Sequence, residues 1–133
     1  MIYLLDTCVI SDFARGDVST QQRFKHQAPL DLALSSVTVM EIQYGLKLNP
    51  AKAKKIQPII EQLLSSLNVI RFGEQEAIAA ASIRAELKSL GMPIGAYDVL
   101  IGATAKANDL VMVTANTREF ERIEGLDLEN WRI

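Results

Sequence analysis

The chain has 133 residues, of which 49% are hydrophobic and 23% charged, and this length and composition predict one domain spanning residues 1–133. Its formal net charge of -2 argues against a protein that coats nucleic acid through a general basic excess. The single cysteine, Cys8, excludes an internal disulfide and a cysteine-rich zinc site, so we expect a reducing, cytoplasmic compartment. No apolar run is long enough to cross a bilayer, so we expect no membrane association.

Apolar runs bounded by turn residues predict four strands, and apolar residues at three- and four-residue steps predict the helices between them. Pro58 is expected to kink or restart the helix that contains it. A weaker strand or coil ends at Trp131. In chain order we predict strand 2–5, helix 8–14, strand 32–35, helix 37–48 capped by Ser36, a helix carrying the apolar stripe 56–67, strand 69–72, helix 74–90, helix 98–107, strand 110–114 and helix 117–120.

The alternation of strands with helices predicts an α/β fold, a parallel sheet of four to five strands flanked by helices on both faces. In such a sheet the helix N-termini lie at the same edge as the strand C-termini, where ligands of open α/β folds bind. Asp6, Glu41, Asp98 and Asn116 all lie at this edge. They come from four separate segments, so the topology and not the spacing brings them together.

A cluster of carboxylates repels itself unless a cation neutralises it, since two charges about 4 Å apart cost roughly 4 kcal/mol at an effective dielectric of 20. Oxygen ligands without nearby histidine favour Mg²⁺ or Mn²⁺ over zinc. Such an ion polarises a scissile phosphate and lowers the pKa of an attacking water. The predicted chemistry is therefore phosphodiester hydrolysis.

Two of these acids also have a purely structural explanation. Asp6 is suited to capping a helix, and Asp98 to favouring a helix dipole. Glu41 shares a helical stripe with Val37, Tyr44 and Leu48, so we expect it to point toward protein, where a carboxylate needs a partner.

Four segments resemble the signature of the PIN-domain family, and in particular its VapC toxins. They are 4–11 (LLDTCVIS), 35–42 (SSVTVMEI), 97–101 (YDVLI) and 113–123 (VTANTREFERI). Gly125, Leu126 and Trp131 extend the resemblance over essentially the whole chain.

This resemblance implies a PIN-like fold and a Mg²⁺- or Mn²⁺-dependent endoribonuclease toxin that cleaves tRNA or ribosomal RNA and stops translation. The resemblance is nearest to enteric toxins that attack initiator tRNA. It further implies a homodimer neutralised by a VapB antitoxin that occupies the active groove, with DNA contacted only through the antitoxin. On this likeness Asp6, Glu41 and Asp98 are the catalytic acids and metal ligands, and Thr7 and Thr114 support them.

The chain departs from the family pattern at two positions. Asn116 stands where many PIN domains carry a fourth acid; its amide oxygen can ligate but brings no charge, so a second metal is in doubt. Glu119 is the alternative, although a short surface helix usually leaves such a residue solvated. Cys8 stands where asparagine is common and is interpreted as a packing residue. Arg118 and Arg122, four apart beside the site, are the candidate RNA contacts.

Basic residues elsewhere are weaker candidates for RNA contact. The lysines at positions 52, 54 and 55, and the pair Arg84 and Lys88, are more typical of solvated helix faces. His26 is remote from every motif, so we expect it on the surface.

Other functions remain open on sequence grounds. An aspartyl phosphatase needs a second aspartate where Cys8 stands, and a phosphoacceptor domain needs a lysine near Thr114. No glycine-rich phosphate loop or hydrolase histidine is present. A catalytically silent PIN-like module that binds RNA or a partner remains the alternative.

Overall fold

The computed structural model describes residues 1–133 as one five-stranded parallel sheet with seven α-helices around it. The strands are β1 (Tyr3–Leu5), β2 (Leu32–Ser35), β3 (Asn68–Ile70), β4 (Val111–Val113) and β5 (Leu128–Glu129), in the spatial order β3-β2-β1-β4-β5. The helices are α1 (Thr7–Ala14), α2 (Val18–Lys25), α3 (Ser36–Leu48), α4 (Pro50–Ser66), α5 (Glu74–Ser89), α6 (Ala96–Ala107) and α7 (Thr117–Phe120). The predicted fold class is confirmed.

Successive residues of the central strand β1 point to opposite faces of the sheet and enter two hydrophobic cores. Leu4 belongs to the core under α5 and α6, with Ile83 and Ile101. Leu5 belongs to the core under α1, α2 and α4, with Ile60. Because helices cover both faces of the sheet, the side chains that follow the strands reach solvent at its carboxyl edge.

The strand register brings distant residues into line at the carboxyl edge. Leu5 on β1 pairs with Val113 on β4, so Asp6 and Thr114, the residues that follow, emerge side by side. Strand β2 pairs with the other side of β1 and delivers the start of α3 to the same edge.

Three expectations about the elements were wrong. Helix α2 was not predicted, because its sequence is mostly polar and only Thr20 and Phe24 are buried. The third strand lies at Asn68–Ile70 instead of 69–72. Pro58 does not restart the helix, since α4 continues through it, with Ala53 and Ile60 buried before and after the proline.

The interpretation of the α3 stripe was wrong for two of its apolar residues. Tyr44 and Leu48 are 61% and 66% exposed, so they do not pack against the protein. Val37, the third apolar residue of the stripe, is buried as expected, and α3 packs through it together with Thr38 and Ile42.

His26 is exposed, as predicted. None of the helices combines the length and the apolar character that a membrane crossing demands.

Candidate active site

Asp6 is the residue around which the site is built. It follows β1, and its Oδ1 accepts a hydrogen bond from Thr7 N at 2.8 Å as the cap of α1. Its Oδ2 accepts from Thr114 Oγ1, also at 2.8 Å. Burial raises the pKa of Asp6 against the effect of these hydrogen bonds, and the Glu41 charge raises it further. The capping role expected of Asp6 and a place in the site therefore belong to the same carboxylate.

Glu41 reaches the site from the second turn of α3. Its Oε1 accepts a hydrogen bond from Thr7 Oγ1 at 2.6 Å, which joins positions that are 34 residues apart. Thr7 thus binds two acids at once, Asp6 through its backbone N–H and Glu41 through its hydroxyl. Glu41 is half-buried and has the partner that its carboxylate needs, although Tyr44 and Leu48 do not cover it.

Asp98 lies in the first turn of α6 and is half-buried. Its pKa is raised to about 7, first by burial, then by the adjacent Glu119 carboxyl and by the charges of Asp6 and Glu41. The Asp98 carboxyl therefore lies in surroundings that disfavour its charged form, chiefly through burial and further through the neighbouring acids.

Glu119 is the residue whose importance the sequence understated. It lies on α7, is half-buried, and its carboxyl lies beside that of Asp98. Asn116 Nδ2 donates to Glu119 Oε2 at 3.0 Å, and Asn116 N donates to Thr114 Oγ1 at 2.9 Å. The spacing from Asn116 to Glu119, one turn of a short helix, was the available signal. Asn116 thus orients an acid three residues later.

Cys8 packs against the core as a half-buried residue. Its Sγ lies 3.7 Å from Asp6 Oδ2 and 3.9 Å from Thr114 Oγ1. Burial and the Asp6 charge raise the pKa of the thiol. Cys8 is therefore held as a thiol, which agrees with its interpretation as an unreactive packing residue.

The four carboxylates form two pairs, Asp6 with Glu41 and Asp98 with Glu119. No three acidic, histidine or cysteine side chains converge on one point as a ready coordination sphere. Their donors are nonetheless hard oxygens, and burial together with the neighbouring acids disfavours the charged form of Asp98. That donor set fits Mg²⁺ or Mn²⁺, which bind few protein oxygens and keep several waters.

The basic candidates lie in different environments. Arg118 is exposed on α7. Arg122 is half-buried, and its Nη1 donates to Pro93 O at 3.0 Å. Arg84 and Lys88 line an apolar cleft between α5 and α6 of about 810 Å³, and the lysines of α4 are exposed.

A model of the PIN domain matches residues 3–126 of the chain. The chain belongs to the PIN-domain family. Within the family it is of the VapC type. A tRNA(fMet)-specific endonuclease VapC of Shigella flexneri is 35% identical over 130 residues, which cover 97% of each protein. A protein of the same name from Salmonella typhimurium is 41% identical over 100 residues, 75% of each protein.

Solved structures agree with this assignment. The structure of DNA-bound VapBC from Salmonella typhimurium matches this PIN domain with a TM-score of 0.90 at 35% identity, covering 98% of both chains. VapBC2 from Rickettsia felis, bound to a promoter DNA fragment, matches with a TM-score of 0.89 at 33% identity, covering 98% of this chain and 99% of the other.

Proposed function

We propose that this VapC-type PIN domain is a Mg²⁺- or Mn²⁺-dependent endoribonuclease toxin whose substrate is initiator tRNA. The observation that carries the proposal is the meeting of Asp6, Glu41, Asp98 and Glu119 at one sheet edge, where the pKa of Asp98 rises to about 7. The substrate is supported by the names of two relatives, both tRNA(fMet)-specific endonucleases. A VapB-type antitoxin is its partner, since the similar structures are VapBC complexes.

The chain's own residues prepare the site for an ion and a phosphate. Asp6, Glu41 and Asp98 would hold the ion, with the amide oxygen of Asn116 as a further ligand. When bound, the ion supplies charge for the phosphate and a water of lowered pKa. Thr7 fixes one oxygen of Glu41 and leaves the other free, while Thr114 fixes the carboxylate plane of Asp6. Acids so oriented lose little entropy when the ion enters.

An RNA contact, a homodimer and a compartment belong to the same proposal. Arg118, exposed beside Glu119, is positioned for a phosphate of the RNA. A homodimer would cover apolar surface such as the cleft between α5 and α6. The compartment is the cytoplasm, where tRNA resides.

The rival is a silent PIN-like module that binds RNA or a partner without cutting it. Asn116 favours that rival only if no other acid replaces the missing charge. Glu119, oriented by Asn116 toward Asp98, supplies a fourth carboxylate. The geometry therefore favours catalysis.

The test is cleavage of initiator tRNA by the purified chain, freed from antitoxin, with and without Mg²⁺ or Mn²⁺. We expect cleavage that stops on chelation and is lost in Asp6→Asn and Asp98→Asn, which keep side-chain volume while removing charge. Elongator methionine tRNA serves as the control substrate. Metal-independent cleavage, or full activity in both variants, would overturn the proposed chemistry, and equal cleavage of the two tRNAs would overturn the substrate.

A further inference from the structure

The loop before α6, the helix that carries Asp98, makes few hydrogen bonds. Residues 92–95 connect α5 to α6 and end at Gly95, the N-cap residue of α6, which makes no side-chain capping hydrogen bond. Outside α6 the loop makes two hydrogen bonds, Met92 N to Leu87 O at 2.9 Å and Arg122 Nη1 to Pro93 O at 3.0 Å. The first returns to the preceding helix. Only the second joins the loop to another part of the site.

Gly95 lies directly against the Asp98 carboxylate. A Cβ at position 95 would lie 3.1 Å from Asp98 Oδ2, tighter than ordinary van der Waals contact. A shift of the loop at Gly95 would therefore press directly on the carboxylate of Asp98.

The segment that carries Arg122 is fixed on α6 by apolar packing and by a hydrogen bond. A Cβ at Gly102 would lie 2.6 Å from Ile123 Cδ1 and 3.5 Å from Phe120 Cδ1, so residues 120–123 pack directly on the α6 backbone. Phe120 and Ile123 are 0% and 3% exposed. Farther along α6, Lys106 Nζ donates to Glu124 O at 2.7 Å. Arg122 therefore extends from a segment that is packed closely on α6, and the same segment carries Glu119.

We infer that Arg122 is a positioning residue, which ties the loop before α6 to the α7 segment and so sets the Asp98 carboxylate against that of Glu119. The inference rests on the proposed nuclease function and assigns Arg122 a task other than binding RNA. Arg122 is half-buried as a residue, and its hydrogen bond to Pro93 O lies at the surface, where the charged donor makes it stronger than a neutral one. Arg118, four residues earlier and exposed, remains the residue that faces the substrate.

The test compares Arg122→Ala with Arg118→Ala in single-turnover cleavage and in RNA binding at several salt concentrations, with Ca²⁺ in place of Mg²⁺ for binding. For Arg122→Ala we expect a cleavage rate roughly 10- to 100-fold lower, because small displacements of catalytic groups have effects of that size. RNA affinity and its salt dependence should stay unchanged. For Arg118→Ala we expect weaker binding and a salt slope smaller by about one counterion.

A second pair of variants keeps the inference falsifiable if Arg122→Ala proves unstable. Arg122→Lys keeps a cationic donor and should recover part of the rate. Gly95→Ala crowds Asp98 Oδ2 without touching Arg122, and it should lower the rate as well. Since both changes act on one loop, the double variant should lose less than the product of the single losses.

The possible failures are distinguishable. If the unaltered chain does not cleave RNA with Mg²⁺, the proposed function falls. If it cleaves and Arg122→Ala reduces affinity and salt slope but not the cleavage rate, Arg122 is an RNA contact and the inference is overturned. An unchanged rate in Arg122→Ala, or multiplicative losses with Gly95→Ala, overturns it too.

Discussion

Thr114 Oγ1 donates a 2.8 Å hydrogen bond to Asp6 Oδ2 across a sequence separation of 108 residues. The bond lies between the ends of two adjacent parallel strands, and both residues are buried. The Thr114 hydroxyl also accepts from Asn116 N, which starts the segment that carries Glu119. One hydroxyl therefore links Asp6 to the segment that carries Glu119.

Replacing Thr114 with valine should both destabilise the fold and impair cleavage. Valine keeps the shape of the side chain but leaves a buried Asp6 oxygen without its donor, which costs about 1–3 kcal/mol in the free energy of unfolding. Urea denaturation measures that loss. Thr114→Ser keeps the hydroxyl and is the matched control, expected to retain most of the stability and activity. A fully stable Thr114→Val would show that the hydrogen bond contributes nothing.

The stability of the ion-free chain should fall as pH rises from acid to neutral values. Asp98 has a pKa raised from 3.8 to about 7, so between these values the folded chain binds a proton that the unfolded chain does not. The stabilisation is complete below the lower value and is lost as the pH rises through the upper one. Burial raises the pKa of Asp6 as well, which adds to the trend.

Thermal unfolding in chelator across this pH range checks this expectation. Asp98→Asn should flatten the profile, whereas Asp109→Asn, at an exposed position, should leave it unchanged. Added Mg²⁺ should raise the Tm more at about pH 8 than at about pH 5, since only ionised carboxylates attract the ion. A flat profile in the unaltered chain would contradict the assigned environment of Asp98.

Glu119 should be required for cleavage, because its carboxyl lies beside that of Asp98. Glu119→Gln keeps the side-chain size and removes the charge beside Asp98, so we expect activity to fall roughly 10- to 100-fold, as for groups that support metal ligands. Glu121→Gln is the control, because Glu121 is exposed two residues away. Asn116→Asp should partly restore the activity of Glu119→Gln. Equal activities of the two glutamine variants would remove Glu119 from the site.

The sequence was sufficient for the approximate positions of the first four strands and for placing Asp6, Glu41 and Asp98 near one another, because buried parallel strands are continuous apolar runs and their carboxyl ends share an edge. It was insufficient where tertiary packing decides. Helix α2 is mostly polar and buries only Thr20 and Phe24. Helix α4 continues through Pro58, with Ala53 and Ile60 buried before and after it. Periodicity also placed Tyr44 inward, although no element of the chain covers that face.

Side-chain roles within the site were the least predictable part. Arg118 and Arg122 look alike in sequence, yet one is exposed and the other is bonded to Pro93 O. Glu119 looked like a solvated surface residue because nothing in the sequence places α7 against the first turn of α6. The close approach at Gly102, which only the folded chain reveals, brings the two together.

The most direct test of the central claim is an anomalous difference map from a crystal of the chain soaked in Mn²⁺ near neutral pH. We predict a peak at the sheet edge bonded to oxygens of Asp6 and Asp98, with Glu41 bound directly or through water, and the two carboxylate pairs drawn together around it. No peak at a Mn²⁺ concentration that supports RNA cleavage, with the carboxylates still apart, would contradict the claim.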